Sequence, residues 1–240
     1  MDNLNGREKV TNLLKFCLNS VMSGVLLAMA GTAYLLCPLI DGSKIIGSVM
    51  FCFGLYFIIV LNYKLFTGLV VKVPFLKANQ WPSLPICFLF NGLGCLLAAG
   101  LFSLSPLNDK LVAATQALMT TKLANSPLQV FCSAIFCGLC IAFAILGAQE
   151  APKKSLSATL AILFPITIFV LCGFEHCVAN LFYIFMSKTV WSGTLVVFLL
   201  VDILGNFIGG IVAPYLKKWT DTPSKTTEKT EEKSESTETK

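Results

Sequence analysis

The stretch Gly173, Phe174, Glu175, His176, Cys177, Val178, Ala179, Asn180 sets the only histidine of the 240-residue chain beside a carboxylate, inside an otherwise apolar run. A charged group at mid-membrane costs roughly 2.5 to 3.5 kcal/mol or more, so such groups face a cavity or a partner. Histidine titrates near physiological pH, which suits it to donate a hydrogen bond or to relay a proton. A second stretch, Lys64, Leu65, Phe66, Thr67, Gly68, interrupts an earlier apolar run. Glycine and threonine at such an interruption offer backbone N–H groups and a hydroxyl to an anion, while Leu65 and Phe66 make a constriction that excludes water. Each stretch also has a plain structural reading: a neutral imidazole that ties helices together, and a glycine kink with a lysine snorkelling to the interface. The recurrence of polar interruptions at matching places favours a solute pathway.

The elements that hold these residues are six apolar runs, at 16–40, 45–73, 81–104, 128–148, 156–186 and 190–216. A helix needs about 20 apolar residues to cross a bilayer, and only helices satisfy their backbone within lipid at such lengths. The second and fifth runs are too long for simple spans and carry the two polar interruptions. Asn91 with Gly94 in the third run, and Asn206 with Gly209 in the sixth, repeat one spacing. Runs one to three and four to six therefore read as two repeats of opposite orientation, with broken second and fifth helices and a solute site near the midplane.

Composition agrees with this reading. Hydrophobic residues make up 55% of the chain and charged ones 13%, too little polar surface for a soluble domain. The net charge of +5 is spread singly between apolar runs and not gathered into a nucleic-acid-binding patch. With the N-terminus inside, Arg7, Lys9, Lys15, Lys72, Lys77, Lys153, Lys154, Lys217 and Lys218 flank the cytoplasmic side. Lys44, Lys110, Lys122 and Lys188 flank the other. Both termini are expected in the cytoplasm and the protein in the plasma membrane. Residues 1–15 are expected as a cytoplasmic segment, 16–218 as the membrane domain, and 219–240, rich in Thr, Ser, Glu and Lys, as a disordered tail.

The ten cysteines lie almost wholly within apolar runs, where they act as small hydrophobes. Cys137 and Cys140 form a CxxC without a matching second pair, so no metal or cofactor is expected. The chain has no HExxH motif, serine triad or nucleotide-binding glycine loop, and adjacent helical residues such as Glu175 and His176 point about 100° apart. An enzyme is not expected. A neutral-solute channel would not need ionisable residues, and paired ammonium-channel histidines cannot be built from one.

The motifs KLFTG at 64–68, GFEHCVAN at 173–180 and the GN before a glycine pair at 205–210 resemble the formate/nitrite transporter family over roughly residues 10–218. That resemblance implies an all-α, aquaporin-like membrane fold assembled as a homopentamer, each protomer with its own pore. It implies transport of formate above all, with nitrite close behind and hydrosulfide or related weak-acid anions as alternatives. It also implies His176 as the central pore histidine and Thr67 as the threonine of the first break, with Lys64, Glu175 and Asn180 beside the pathway. Leu55, Leu65 and Phe66 match the cytoplasmic-side constriction; Phe51, Phe169 and Ala179 match the periplasmic-side one. The chain departs from the family pattern twice: Lys64 stands where an acidic residue is usual, and Ser133 aligns with a usual lysine early in the fourth helix. The expectation is that Lys64 supplies the positive potential that draws anions toward His176, balanced by Glu175 or Asp202.

Overall fold

In a computed structural model, described for residues 6–40, 42–153 and 155–221, the chain is helical. Helix α1 spans Gly6–Ile40, α2 Lys44–Val60, α3 Phe66–Val70, α4 Ser83–Ser103, α5 Asn108–Leu123, α6 Pro127–Glu150, α7 Leu156–Leu171, α8 Cys177–Ser187 and α9 Gly193–Thr220. Four helices are long and apolar enough to cross a membrane unaided. The pairs α2/α3 and α7/α8 are the broken second and fifth crossings, which makes six in all. Helix α1 already begins at Gly6, and α9 continues to Thr220; the expected tail from residue 222 onward lies outside the described residues.

Local chemistry sets these boundaries. Ser43, Ser126, Ser155 and Ser192 precede α2, α6, α7 and α9, and each hydroxyl accepts a backbone N–H of the first turn. This satisfies a donor that the helix cannot satisfy itself. At Ser126 the cap is reciprocal, because Gln129 Oε1 accepts the Ser126 N–H at 2.8 Å, and Pro127 fills the first helical position.

Both breaks are built to one plan. Helix α2 ends with Asn62 at φ +55°, its N–H donating to Ile59 O and the Tyr63 N–H to Ile58 O. Helix α7 ends with Gly173 at φ +71°, its N–H donating to Val170 O and the Phe174 N–H to Phe169 O. These are two copies of the left-handed helix terminator that closes the last orphan carbonyls. In each copy the chain then extends for two residues and restarts a helix, with Leu65 capping α3 and His176 capping α8.

An asparagine from the next crossing fastens each break. Asn91 Oδ1 accepts the Phe66 N–H at 2.8 Å, and Nδ2 donates to Lys64 O and Ser20 O, each at 2.8 Å. Asn206 Oδ1 accepts the Cys177 N–H at 2.9 Å, and Nδ2 donates to Glu175 O at 2.7 Å and Ala134 O at 3.0 Å. The glycine three residues on brings the helices together: a Cβ on Gly94 would fall 2.1 Å from Val21 O, and one on Gly209 2.0 Å from Ile135 O. The repeated spacing in the sequence is thus one device used twice, fixing the otherwise unpaired backbone of a broken helix within the membrane domain. Around this core the outer faces of the helices are apolar and exposed, as at Leu89, Leu101, Phe164 and Leu200, which suits hydrocarbon.

Candidate functional site

The two helix restarts meet side to side. Thr67, in the first turn of α3, and His176, the cap of α8, are both buried, and Thr67 Oγ1 lies 3.2 Å from His176 Nε2. The other ring nitrogen, Nδ1, accepts the Ala179 N–H at 3.2 Å. A neutral imidazole that accepts at Nδ1 carries its proton on Nε2. The ring therefore donates to Thr67 Oγ1, which leaves the threonine hydroxyl proton free to point elsewhere. Phe169 stacks against the His176 ring at 5.8 Å, and Phe51 packs edge-on against Phe169 at 5.7 Å, so the imidazole is wedged in one orientation.

Two cavities are lined by residues on either side of this contact. One, named the outer cavity and its counterpart the inner for the orientation proposed below, is about 170 Å³ and is lined by His176, Phe51, Phe169 and Ala179 together with Lys122, Glu175 and Asn180. The inner one, about 210 Å³, is lined by Leu55, Leu65, Lys64, Lys72 and Gln149 among others. Phe51, Phe169 and Ala179 thus share one cavity, and Leu55 and Leu65 the other. Phe66 lines neither; it packs on Phe88 of α4 at 5.2 Å. The backbone N–H of Phe66 is taken by Asn91 and that of Cys177 by Asn206, so neither is open to an anion.

The charges are arranged differently from the sequence-based expectation. Glu175 is 2% exposed and its carboxylate is paired with the Lys122 ammonium, not with Lys64. Lys122 comes from α5, a helix in the connection between the two halves, and is itself only 8% exposed. Asn180 Nδ2 bridges Glu175 Oε2 at 2.8 Å and Asp202 Oδ2 at 2.7 Å, while the Glu175 N–H donates to Ser133 Oγ at 3.2 Å. Lys64 lines the other cavity, where its Nζ donates to Asn62 Oδ1 at 3.2 Å. The cation facing His176 is therefore Lys122, and neither Glu175 nor Asp202 balances Lys64. From sequence alone Lys122 reads as a flanking topology charge, because α5 carries Asn, Asp, Lys, Gln and Thr and does not stand out as an apolar run. The signal lay in its spacing: Leu111, Thr115, Met119 and Lys122 form one buried helical stripe, with the lysine at its end. Ser133 does face Glu175, but supplies an acceptor to the backbone and no charge. Among the described residues all ten cysteines are free thiols.

Residues 4–220 match the family described as formate/nitrite transporter. An uncharacterized transporter of Bacillus subtilis, YrhG, is 31% identical over 191 residues, covering 71% of this chain and 68% of that protein. The structure of an ion channel of the same family superimposes with a TM-score of 0.75 at 25% identity, over 90% of this chain and 94% of that one. A pentameric formate channel with formate bound superimposes with a TM-score of 0.73 at 19% identity, over 88% and 96% of the two chains.

Proposed function

This chain belongs to the formate/nitrite transporter family, and on that premise we propose that it conducts a small monovalent weak-acid anion, formate first and nitrite next, through a pore centred on Thr67 and His176. It is a membrane transport protein with an aquaporin-like fold and not an enzyme. The observation that carries the reading is the Thr67–His176 hydrogen bond between two helix restarts, with an apolar-rimmed cavity on each side. An anion that enters the outer cavity meets the Lys122 ammonium while it still holds part of its hydration. It then reaches a constriction of Phe51, Phe169 and Ala179, where a bare charge is costly and a hydrogen-bond donor or a proton is needed. The Thr67 hydroxyl provides the donor, its proton left free by the His176 Nε2–H bond that its oxygen accepts. The Ala179 N–H on Nδ1 supports a donor role for the ring, because the nitrogen that a relayed second proton would need is already engaged.

A weak acid has a second way through. Burial disfavours its charged form, so it takes up a proton near the constriction and crosses as the neutral acid. Hydrosulfide fits the same route. The assembly proposed is a homopentamer with one pore per protomer, on the pattern of the pentameric formate channel, in the plasma membrane with both chain ends in the cytoplasm. The helix ends bearing Lys217 and Lys218 and the Lys72 segment lie on one face: Lys217 pairs with Glu150, and Lys218 reaches Pro74 O at 2.7 Å.

The test is uptake of radiolabelled formate into proteoliposomes at several external pH values, with nitrite and hydrosulfide as competitors and His176→Ala alongside. The expected result is uptake that rises as external pH falls, slower in His176→Ala but with the same pH dependence; loss of that dependence in the variant would overturn the donor role in favour of a proton relay. Absence of uptake for all three anions by folded protein sinks the reading; a large anion current with a flat pH response removes the neutral-acid step.

A further inference from the structure

We infer that the inner cavity is a second anion site, which holds a tetrahedral dianion of the sulfate or phosphate class against Lys64 and Lys72 and so competes with the permeant anion from that side. The inference rests on the transport reading above for its consequence, though not for the binding itself. The cavity of about 210 Å³ is lined by two lysines, two amides (Asn62 and Gln149) and Tyr63, and by no carboxylate. Lys64 has a single neutral partner, Asn62 Oδ1 at 3.2 Å. Lys72 makes no ion pair among the described residues, and the neighbouring Glu150 is already paired with Lys217 at 3.3 Å. Two lysines, Lys64 half-buried and Lys72 exposed, therefore line one cavity with no carboxylate in its wall, beside amides that can orient an oxyanion.

The cavity closes toward the centre on Leu55 and Leu65, both buried, and beyond them lies the Thr67–His176 contact. A weak monovalent acid can pass such a gate by sharing or taking one proton. A dianion must shed a far larger hydration energy and has no comparable neutral form, so it can enter the cavity and not leave it inward. Charge also sets the balance between the two ligands. At a contact distance of about 6 Å in water-like surroundings, each lysine favours a monovalent anion by about threefold and a dianion by about tenfold. The site thus retains what the pore rejects, and anions of that class set how much of the vestibule is open to the permeant ion.

Binding and flux are measured separately. Calorimetric titration of the detergent-solubilised full-length protein with sulfate, at constant ionic strength made up with chloride, reads binding directly. Formate flux in proteoliposomes, with and without sulfate, reads competition. The expected result is saturable sulfate binding, about tenfold weaker in Lys72→Gln and weaker again in Lys64→Gln/Lys72→Gln. Sulfate should raise the half-saturating formate concentration in the wild type, and this effect should shrink in step with the loss of binding. Sulfate heats no larger than those of chloride, or equal in wild type and double variant, overturn the site even if formate flux is normal. Lysine-dependent sulfate binding by a protein that carries no formate upholds the site and rejects the transport reading. Lysine-dependent binding that leaves formate flux untouched overturns the competition.

Discussion

Lys122 and Glu175 form a buried pair in which each member is the other's main compensation. Removing one charge leaves the other stranded, and breaking such pairs costs about 3–5 kcal/mol. Lys122→Met should therefore destabilise the protein strongly, seen as earlier loss of the monodisperse peak on heating in detergent. Lys122→Met/Glu175→Gln should recover most of that stability while formate uptake stays low, because the cation at the outer cavity is gone. Recovery of uptake along with stability would show that the pair matters only for folding. Thr67 makes a finer test. Thr67→Val keeps the shape but removes the acceptor of the imidazole N–H and the free hydroxyl proton, whereas Thr67→Ser keeps both. A net hydrogen bond of about 1 kcal/mol corresponds to roughly a fivefold loss of uptake in the valine variant, with the serine variant near wild type. Equal loss in both would point to packing by the threonine methyl. At this scale the sequence exposed what stood out against an apolar background, namely His176, Glu175, Lys64 and Asn180. It concealed Lys122, because a lysine between two spans looks like every other flanking lysine until the helix that aims it is known.

The crossings are joined by close backbone approach and asparagine staples, and these carry a prediction of their own. A methyl on Gly94 or Gly209 would collide with a backbone carbonyl, which cannot swing aside as a side chain can. Gly94→Ala and Gly209→Ala should each force their helices apart and cost about 1–3 kcal/mol or more, by overpacking. Gly100, with open space where its Cβ would lie, should tolerate alanine and serve as the control. Thermal stability of the three purified variants checks this; an unaffected Gly209→Ala would mean that α6 and α9 are not held as closely as described. The six crossings were legible because length and apolarity leave few alternatives in lipid, and the breaks because polar residues interrupt them. What the sequence did not display was α5, whose polar residues outnumber its buried stripe. Nor did it display the division of labour at the breaks, where Asn91 and Asn206 consume N–H groups that looked available to an anion.

For the whole molecule, the broad apolar exterior requires lipid, other protomers or both. Five chains per particle are expected by native mass spectrometry from mild detergent, and a stable monomer that still transports formate would remove the pentamer while leaving each pore intact. The fold agrees over about nine-tenths of the chain with two solved channel structures. The duplicated, stapled framework accepts very different side chains at matched positions. Leu65 and His176 cap equivalent helix starts, and Lys64 and Glu175, opposite in sign, precede them.

Helix α5 stands outside that duplication, since it connects the halves and has no counterpart within either. Its lysine reaches the pathway from a segment that need not match the bilayer in length or apolarity. The charge at the pore mouth is nonetheless tied to its buried partner Glu175, so a change of charge at one position calls for a matching change at the other. The duplicated framework thus sets the shape of the pathway, and one ion pair between connector and repeat sets the electrical character of its mouth.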